Sequence, residues 1–564
     1  MNDPSEKMRV LVIGGYGTFG GHLVRRLASQ AGLELLVAGR SEEKARVFIS
    51  GLNAVANLQS TRFDRDGAVD AQLQDIAPDI VVDASGPFQA YGNDRYRVAK
   101  SAIKVGAHYL DLADDSGFVA GIDALNEQAM QSRVFAISGA STSPALTSAV
   151  YRQLARHFTT VESFRGGIAP SPHAGVGISI VQAIAAYAGK AVSLTRDGKR
   201  TTGIAVCDTQ DYSIAAPGAL PLRRRRFSLV DIPDLALSES LDPQLRNTWF
   251  GAAPVPAVYH WLLRVLAAAV HSGLFRSLSS FVPVMHYVLS RWSFGAHRGG
   301  MFVELAGTDL SGHHVTCCWD LVAEGEDGPV IPTLAAEAII RACASGRAPL
   351  PGARPATDEL ELEDFAALFA SLRVSYGERS SSKTPPLVRR ILGSRWLELP
   401  QALRDLHDVR ESSDWSGQAS VTRGSSPLAR LIATIVGFPP AGSTMPVQVT
   451  LTRDDDKEVW KRNFDGHRFC SELTAGQMGA YANLFRERFG PVRIGMALVT
   501  DNGKLYLLPK CWQFFGIPMP DCLLPRGRML EYVEDGRFRF HVEIGFPLIG
   551  HVVTYSGWLC ANPA

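Results

Sequence analysis

Short apolar segments alternate with amphipathic segments over the first part of the chain. The segment 20–30 carries its apolar residues at helical spacing, with Leu23, Val24 and Leu27 on one face. Continuous apolar runs that end in glycine or polar residues indicate buried parallel strands. Such runs occupy residues 9–13, 34–38, 79–84, 108–112 and 134–138, with a weaker one near 57–63. The alternation predicts an α/β domain with a doubly wound parallel sheet over residues 1–150.

The pattern changes after residue 150 to a mixture of longer strands and helices. Residues 300–307 and 313–322 are strand-like runs joined around Leu310-Ser311-Gly312, which is typical of a hairpin. A helix is predicted near 333–345, just after a proline. We therefore predict a second, α+β domain over residues 151–350, with a role in substrate binding or dimerisation.

A third pattern fills the last part of the chain. A segment rich in proline and glycine, residues 346–357, predicts a linker, which we assign to 351–394. Short runs of alternating apolar and polar residues follow, separated by turn signals such as Asp501-Asn502-Gly503. The runs occupy 446–452, 457–464, 491–499, 504–510, 528–534, 537–545 and 551–559. They predict a mostly antiparallel β domain over 395–564, a barrel or curved sheet, with one helix near 474–489.

The composition is that of an ordinary soluble protein. Of the 564 residues, 46% are hydrophobic and 20% are charged, and the formal net charge is +1. A near-neutral chain has no overall attraction to nucleic acid, so nucleic acid is not an expected partner. The first ten residues, MNDPSEKMRV, lack the basic and apolar regions of a secretory signal, and we expect a cytoplasmic protein.

The residue types that bind metals are too scattered to predict a metal site. The eight cysteines form no CxxC pair, which favours buried free thiols. His313 and His314 are neighbours in sequence and would point to opposite faces of a strand, so they would not share one ion. We expect no bound metal.

The apolar segment 250–292 could be mistaken for a membrane span. Arg264, Arg276 and Arg291 interrupt it, and no uncharged run reaches the roughly 18–20 residues that a bilayer requires. One interpretation is a set of buried helices. The other is a surface helix that lies against lipid or a lipid-like ligand, which would give peripheral association with the inner face of a membrane.

A glycine-rich loop follows the first predicted strand and precedes the first predicted helix. It contains the pattern G-x-G-x-x-G at Gly15, Gly17 and Gly20. Such glycines allow a tight turn and a close approach of the backbone to a pyrophosphate, which the helix N-terminus then binds. The context predicts a Rossmann dinucleotide-binding domain, with cofactor contacts at Gly14, Gly15, Tyr16, Gly17, Thr18, Phe19 and Gly20.

The end of the second strand indicates which dinucleotide binds. NAD sites place an acid there to hold the ribose 2′-hydroxyl. This chain has Arg40 and Ser41 instead, and no acid precedes Glu42. A guanidinium and a hydroxyl suit the 2′-phosphate of NADP, although Ser41 can also cap the helix that starts at Glu42. We predict NADP as the cofactor.

Two further loops complete the predicted cofactor site. Asp64 follows the third strand and either contacts the adenine or simply turns the chain. Ser85, Gly86 and Pro87 follow the fourth strand. Ligands of doubly wound sheets bind at the carboxyl ends of the strands, so we expect these three residues beside the nicotinamide and its ribose.

Several segments together resemble the divergent bacterial branch of the saccharopine dehydrogenase-like NAD(P)-binding oxidoreductase family. In the first domain they are GGYGTFG, AGRS, SGPFQAYG, HYLDLADD and SGASTSPALTSAV. In the second domain they are GGMFVELAGTDLSGHHV and DLVAEGEDGPVIPTLAAEA. The region from residue 395 to the end resembles the DUF4166 domain, which is often fused behind such enzymes.

The resemblance implies an NADP-linked oxidoreductase whose second domain often dimerises, so we expect a homodimer. It does not imply saccharopine as the substrate. The true saccharopine enzymes use an Asp-Pro-Gly turn to hold an amino acid, whereas this chain has Ser143-Pro144-Ala145. Relatives in the divergent branch include reductases of lipid-linked or polyketide-like acyl chains, and the apolar segment 250–292 would suit such a ligand.

The candidate catalytic residues stand at the predicted edge of the sheet. Tyr91 could donate a proton to a substrate or only close its loop by packing. Asp111 ends a strand and could be buried near the site. Ser143 could contact the substrate, or this stretch of hydroxyl residues could cap the helix that follows.

These features predict an NADP-dependent oxidoreductase. It would transfer a hydride to or from an apolar or lipid-like carbonyl, imine or enoyl substrate. Two alternatives are open. The chain could be a non-catalytic NADP-binding sensor or scaffold protein, or a bifunctional protein whose C-terminal β domain binds or modifies the same ligand.

Overall fold

The computed structural model describes residues 7–174, 177–254, 257–291, 295–380, 385–409, 412–454, 457–476 and 482–562. These residues form two structural units. The first unit contains the described residues up to Gln210, then Arg226–His314 and Ala323–Val374. The second unit contains Asp211–Arg225, Val315–Val322 and the described residues from Ser375 onward.

Strands and helices alternate at the start of the chain. They are β1 (Met8–Ile13), α1 (Thr18–Leu27), β2 (Leu33–Gly39), α2 (Glu42–Ser50), β3 (Asn57–Arg62), α3 (Val69–Ile76), β4 (Ile80–Asp83), α4 (Arg97–Lys104), β5 (His108–Asp111), α5 (Ser116–Ala120), α6 (Asn126–Ser132), β6 (Phe135–Ser138) and α7 (Thr147–Ala155). Each strand predicted for this region is present, including the weak one, which is β3.

Longer strands and further helices follow. They are β7 (Phe158–Ala169), α8 (Ile178–Tyr187), β8 (Ala191–Arg196), β9 (Lys199–Ile204), β10 (Thr209–Ile214), β11 (Leu222–Leu229), α9 (Pro233–Leu241), β12 (Asn247–Ala252), α10 (Ala257–His271), α11 (Val282–Arg291), β13 (Arg298–Asp309), β14 (His314–Glu324), α12 (Leu334–Ala344), β15 (Gly352–Pro355), α13 (Leu362–Phe369) and β16 (Val374–Ser380). The two strands predicted around 300–322 are β13 and β14, and the helix predicted near 333–345 is α12.

Seven parallel strands form the first sheet, in the order β15-β6-β5-β4-β1-β2-β3. The chain runs outward from β1 to β3 and then returns to β4 on the other side of β1, so the strand order reverses between β1 and β4. Val10, Leu11 and Val12 at the centre of the sheet are fully buried. Their continuous apolar run is required because helices cover both faces. The predicted Rossmann domain with a doubly wound sheet is confirmed.

The strand at one edge of this sheet comes from late in the sequence. Gly352–Pro355 forms β15 and pairs in parallel with β6, with Gly352 beside Phe135 and Pro355 beside Ser138. These residues lie within the segment that the sequence analysis assigned to a linker. The expectation of irregular structure there was wrong, because an edge strand tolerates proline and glycine.

A second, mixed sheet has β7 at its centre within the first unit. The strand β7 pairs in parallel with β12 and antiparallel with β13. Arg165 of β7 stands opposite Glu304 of β13, and its Nε lies 2.7 Å from the Glu304 Oε1. Glu304 is almost fully buried, so this pair fixes the register of two central strands. Mixed strands with covering helices agree with the predicted α+β class.

The apolar segment 250–292 forms two helices that have an inner and an outer face. Ala267 and Val270 of α10 pack with Val181 of α8 in one buried cluster. On the outer face of α10, Val258 and Trp261 are exposed to 63% and 61%. No helix in the described part of the chain is long and apolar enough to cross a membrane.

Helix α12 is tied to helix α1 by a buried carboxylate. Glu337 of α12 is fully buried and forms an ion pair with the Nε of Arg26 at the end of α1. Its other oxygen lies 2.6 Å from the Nη2 of Arg341. Two guanidinium groups therefore share one buried acid. Loss of that acid would leave each of them with a poorly solvated charge.

We expect Glu337→Gln to lower the free energy of unfolding of the full chain by about 3 kcal/mol, because two arginines lose their buried partner. Urea denaturation measures this. Glu43→Gln is the matched control, since Glu43 pairs with Arg46 on the surface at 66% and 62% exposure, and it should cost less than about 0.5 kcal/mol. Equal small losses for both variants would contradict the structural role of Glu337.

The second unit ends in an antiparallel β structure preceded by two short helices. Its elements are α14 (Leu387–Leu392), α15 (Gln401–His407), β17 (Ser412–Arg423), α16 (Pro427–Val436), β18 (Gly442–Asp454), β19 (Lys457–Phe464), β20 (His467–Ala475), β21 (Phe485–Phe489), β22 (Val492–Asp501), β23 (Lys504–Phe514), β24 (Ile517–Pro518), β25 (Met529–Glu534), β26 (Arg537–Phe546) and β27 (Gly550–Ala561). The strand order is β22-β21-β20-β19-β18-β17-β27-β26-β25-β23-β24, and β22 also pairs with β23. This last pairing closes ten strands into a barrel, which confirms the predicted class.

The helix predicted near 474–489 is wrong in the described residues. Strand β20 continues to Ala475 and Phe485–Phe489 is strand β21, while residues 477–481 lie outside the described residues. In β21, Phe485, Glu487 and Phe489 are buried and the residues between them are more exposed. That period of two is the signature of a strand with one face toward a core.

Candidate functional site

The glycine-rich loop lies where β1 meets α1, against the end of β4. Gly14 has a positive φ of 76°, and a Cβ there would lie 2.8 Å from the Ala84 carbonyl oxygen. A Cβ on Gly20 would lie 2.3 Å from the Gly14 carbonyl oxygen. Only glycine fits at both positions. At these two positions the loop therefore packs backbone against backbone.

The first turn of α1 is open toward that space. Gly17 is the N-cap, and no side chain caps the helix there. The first residues of the helix, Thr18 and Phe19, thus offer backbone N–H groups to an anion. A cap residue with a side chain would compete for these donors, so this geometry fits the pyrophosphate of a dinucleotide.

Tyr16 covers the end of β2, where the sequence predicts recognition of the ribose. Its hydroxyl accepts a hydrogen bond from the Ser41 backbone N–H at 3.2 Å, and a Cβ on Gly39 would lie 2.5 Å from it. The Ser41 side chain accepts from the Lys44 N–H at 3.3 Å and caps α2. Arg40 is exposed beside them. The capping role of Ser41 is thus present, and Arg40 is free to reach a phosphate from outside.

Asp64 turns the chain after β3. Its Oδ1 accepts a hydrogen bond from the Asp66 N–H at 3.2 Å, and the Gln72 side chain holds its backbone on both sides. The residue is half-buried. Asp64 stands on the same sheet edge as Arg40, because β2 and β3 are parallel neighbours.

The loop after β4 forms a small polar network. The Ser85 hydroxyl donates to Asp83 Oδ1 at 2.6 Å and lies 2.9 Å from the Tyr91 hydroxyl. The Tyr91 hydroxyl in turn donates to Asp83 Oδ2 at 3.1 Å. Gly14 packs on the same loop, since its Cβ position lies 3.0 Å from the Ser85 Cα. Ser85 and Tyr91 are thus brought beside the glycine loop, together with the neighbouring Gly86 and Pro87.

Tyr91 is held by this network and by a cation. The Arg65 guanidinium carbon lies 3.5 Å from the centre of the Tyr91 ring. Burial, and next the Asp83 carboxylate, raise the pKa of Tyr91 above its usual range. Burial also raises the pKa of Asp83, against the hydrogen bonds from Ser85. Tyr91 is therefore a neutral phenol that already donates its proton within the protein.

Asp83 was not among the residues that the sequence singled out. It is the last residue of β4 and is fully buried. An aspartate at the end of an apolar strand, two residues before a serine, was the signal that could have indicated it. It organises both Ser85 and Tyr91.

Asp111 lies at the end of β5, beside Asp83 in the sheet register. It is fully buried, and its Oδ1 accepts hydrogen bonds from the N–H groups of Ala113 and Gly139 and from the Ser138 hydroxyl. Burial raises the pKa of Asp111 to about 7. These contacts tie the ends of β5 and β6 together.

Ser143 contacts a residue that the sequence analysis did not consider. Its hydroxyl donates to Asp234 Oδ2, and the Thr147 hydroxyl donates to Asp234 Oδ1. All three side chains are buried, and burial raises the pKa of Asp234 to about 6 against these two bonds. The N-cap position of α7 is Leu146, and no side chain caps this helix. The alternative that a hydroxyl residue caps it is therefore wrong. The sequence signal for Asp234 was Pro233, which starts helix α9.

The described residues contain no group of three or more His, Cys, Asp or Glu side chains that could hold a metal ion. Asp83 and Asp111 lie side by side at the ends of β4 and β5, while Asp234 holds Ser143, and each of these buried carboxyls is hydrogen-bonded to a hydroxyl. This set can hold and release protons, and the glycine loop beside it can hold phosphates.

The fold and the glycine loop together define an NAD(P)-binding oxidoreductase fold. Residues 10–153 match the family model described as "Saccharopine dehydrogenase NADP binding domain", and residues 399–559 match "Domain of unknown function (DUF4166)". The first domain is thus similar to the saccharopine dehydrogenase NADP-binding domain, and the last to the DUF4166 domain. Both resemblances drawn from the sequence motifs are confirmed.

Solved structures show distant similarity. Apo saccharopine dehydrogenase (L-Glu forming) from Saccharomyces cerevisiae is 12% identical, with 66% of this chain and 100% of that chain covered and a TM-score of 0.49. Biliverdin reductase from Synechocystis sp. PCC 6803, in complex with biliverdin and NADP+, is 12% identical, with 65% and 99% covered and a TM-score of 0.27. A search of curated proteins found no match.

The raised pKa of Asp111 predicts a pH dependence of stability. A carboxyl with a folded-state pKa of about 7 and an unfolded-state pKa near 3.8 binds its proton more tightly in the folded protein. Its contribution to stability is therefore full below pH 4 and is lost as the pH rises toward 7, at about 1.4 kcal/mol per pH unit.

We expect Asp111→Asn to be more stable than the wild type at pH 8, because a neutral amide oxygen can accept the same hydrogen bonds without a buried charge. The advantage should shrink toward pH 5. Urea denaturation of both proteins across this range measures it. A variant that is less stable by the same amount at every pH would contradict the prediction.

Proposed function

We propose that the protein is an NADP-dependent oxidoreductase. The observation that carries this is the glycine-rich loop at Gly14–Gly20, whose backbone is tightly packed at Gly14 and Gly20, next to an exposed Arg40 and a serine at the end of β2. The open helix N-terminus would bind the pyrophosphate, and Arg40 would bind the 2′-phosphate. The bound cofactor would supply or accept the hydride at its nicotinamide ring.

We propose that the substrate is an apolar or lipid-like carbonyl, imine or enoyl compound. A Cβ on Gly177, the residue before α8, would lie 3.2 Å from Thr18 Oγ1, so α8 starts beside the glycine loop. Helix α8 packs with α10 and α11 in one apolar cluster. The exposed face of α10 is also apolar, at Val258, Trp261, Leu262 and Val265. An apolar substrate, a second copy of the chain or a membrane surface would each suit that face.

We propose Ser143, paired with Asp234, as the group that holds the proton for the reduced or oxidised atom. The Ser143 hydroxyl could give its proton to the substrate or take one from it, because Asp234 can return a proton to that hydroxyl or accept one from it. Tyr91 is proposed to orient the loop that carries Ser85, since Asp83 already receives its proton. Asp111 is proposed to fix the ends of β5 and β6 around the same space.

A non-catalytic sensor is the second candidate. It is favoured by the engagement of each candidate proton donor in a bond within the protein, as seen for Tyr91, Asp111 and Ser143. Binding of NADP without turnover would be its signature.

We expect Arg40→Ala to weaken NADPH binding at least tenfold and to leave NADH binding nearly unchanged, because only NADPH carries the 2′-phosphate. Titration of nucleotide fluorescence measures both dissociation constants. Arg46→Ala is the matched control, since Arg46 is an exposed arginine of α2 that pairs with Glu43. Equal losses for NADPH and NADH would show that Arg40 does not read the phosphate.

We expect the full chain to oxidise NADPH when it is offered medium- or long-chain aldehydes, ketones or enoyl thioesters. The loss of absorbance of the reduced nicotinamide measures this reaction. Ser143→Ala should lower kcat at least tenfold while the NADPH dissociation constant is unchanged. Ser141→Ala, two residues away, is the matched control. Tight NADPH binding with no turnover of any of these compounds would overturn the enzyme and support the sensor.

A further inference from the structure

The barrel formed by β17–β23 and β25–β27 encloses a cavity. The space between its side chains amounts to about 800 Å³, including its opening to solvent. Most of the lining is apolar, as with Phe464, Phe485, Met496, Leu507 and Leu559. The barrel interior thus contains open space with a mainly apolar lining.

Two charged clusters interrupt this apolar wall. In the first, Arg462 donates from Nη2 to Glu487 Oε1 at 3.0 Å and from Nη1 to the Ser471 hydroxyl at 2.7 Å. The Ser471 hydroxyl also donates to Glu487 Oε1 at 2.6 Å. The Arg462 guanidinium lies 5.0 Å from the Trp460 ring. Arg462 and Glu487 both line the cavity, and each satisfies the other.

The second cluster enters from a helix outside the barrel wall. His407 of α15 is almost fully buried, and its Nε2 lies 2.6 Å from Oε2 of Glu531, a cavity residue. The His407 Nδ1 is buried and has no hydrogen-bond partner among the described residues. Buried Glu458 stands nearby, and burial raises its pKa. The cluster brings no unpaired positive charge to the cavity.

The charges that face the cavity therefore decide what it can bind. Arg462 is neutralised by Glu487, and Glu531 adds a second carboxylate to the lining, where it is hydrogen-bonded to His407. A ligand carboxylate or phosphate would have to displace Glu487 from Arg462, and it would leave that glutamate buried and unpaired. An anionic head group is thus disfavoured, and a neutral ligand is favoured.

One neutral hydrogen-bonding group in the wall has no partner. Tyr555 is 5% exposed and its ring packs on Phe464 and Phe540. Among the described residues, no hydrogen bond is made by its hydroxyl. Burial raises the pKa of Tyr555 above its usual range, so the phenol keeps its proton. Tyr555 lines the cavity and its hydroxyl is not fully enclosed by protein, so it is available to a ligand oxygen inside the barrel.

We propose that the barrel is a binding site for a neutral amphiphile, a molecule with a long apolar body and a single hydroxyl, carbonyl or ester oxygen. The apolar walls take the body, and the Tyr555 hydroxyl bonds the oxygen. This site is distinct from the dinucleotide site, and the proposal stands whether or not the protein turns over a substrate.

The test uses the full chain and a pair of ligands of equal length. Nile red, a neutral dye that fluoresces in apolar sites, is bound first and then displaced by 1-dodecanol or by dodecanoate. We expect dodecanol to displace the dye at a concentration at least tenfold lower than dodecanoate. Equal or tighter binding of dodecanoate would overturn the neutral-ligand proposal.

Two variants locate the binding. Tyr555→Phe should weaken dodecanol about fivefold, the usual effect of one lost hydrogen bond, and leave dodecanoate unchanged. Met496→Phe should weaken both the dye and dodecanol by filling the cavity. Leu548→Ala is the control, because Leu548 is apolar and 94% exposed.

If Met496→Phe does not fold, the conservative Tyr555→Phe variant still decides the question. Dodecanol binding that is unaffected by Tyr555→Phe would overturn the role of the hydroxyl, and dye binding that Leu548→Ala alone abolishes would overturn the cavity as the site. NADPH titration of the same samples keeps this outcome separate from that of the proposed oxidoreductase function.

Discussion

The first unit depends on a contact that leaves no room for a side chain. Backbone atoms of the loop after β1 lie against those of the loop after β4, and the start of α1 lies against both, so the Cβ positions of Gly14 and Gly20 are filled by carbonyl oxygens. This contact sets where α1 begins and aims its open N-terminus over the sheet. The far end of α1 is then held by Arg26 and buried Glu337. Helix α1 is thus fixed at both ends.

Much of this could be predicted from the sequence because it depends on local patterns. Apolar runs revealed the strands of the first sheet, glycine spacing revealed the loop, and alternation revealed the barrel strands. The buried partners could not be predicted in the same way. Asp83 and Asp234 acquire their roles only when the chain brings Tyr91 and Ser143 to them. The contact between Ser143 and Asp234 joins residues 91 positions apart and depends on tertiary packing, whereas Asp83 lies only two residues before Ser85 and eight before Tyr91.

Two predictions made from the sequence were wrong, one for β15 and one for residues 485–489, and tertiary contacts explain both. The strand β15 is short and contains glycine and proline, and it exists because β6 offers an unpaired edge. The segment 485–489, which the sequence analysis placed in a helix, has charged residues between its two phenylalanines. In the barrel, its alternation places Phe485, Glu487 and Phe489 on the inner face. Charged groups inside a barrel contradict the usual pattern, and they are tolerated because Arg462 pairs with Glu487.

The position of β15 has a consequence for folding during synthesis. A ribosome that has released the first 150 residues has made six of the seven strands of the first sheet, and the edge of β6 is still uncovered. The covering strand leaves the exit tunnel only after some two hundred further residues. During that interval the nascent chain carries an exposed strand edge, the kind of surface that chaperones bind and that aggregates in their absence. A fragment cut at the apparent domain boundary would keep that open edge permanently.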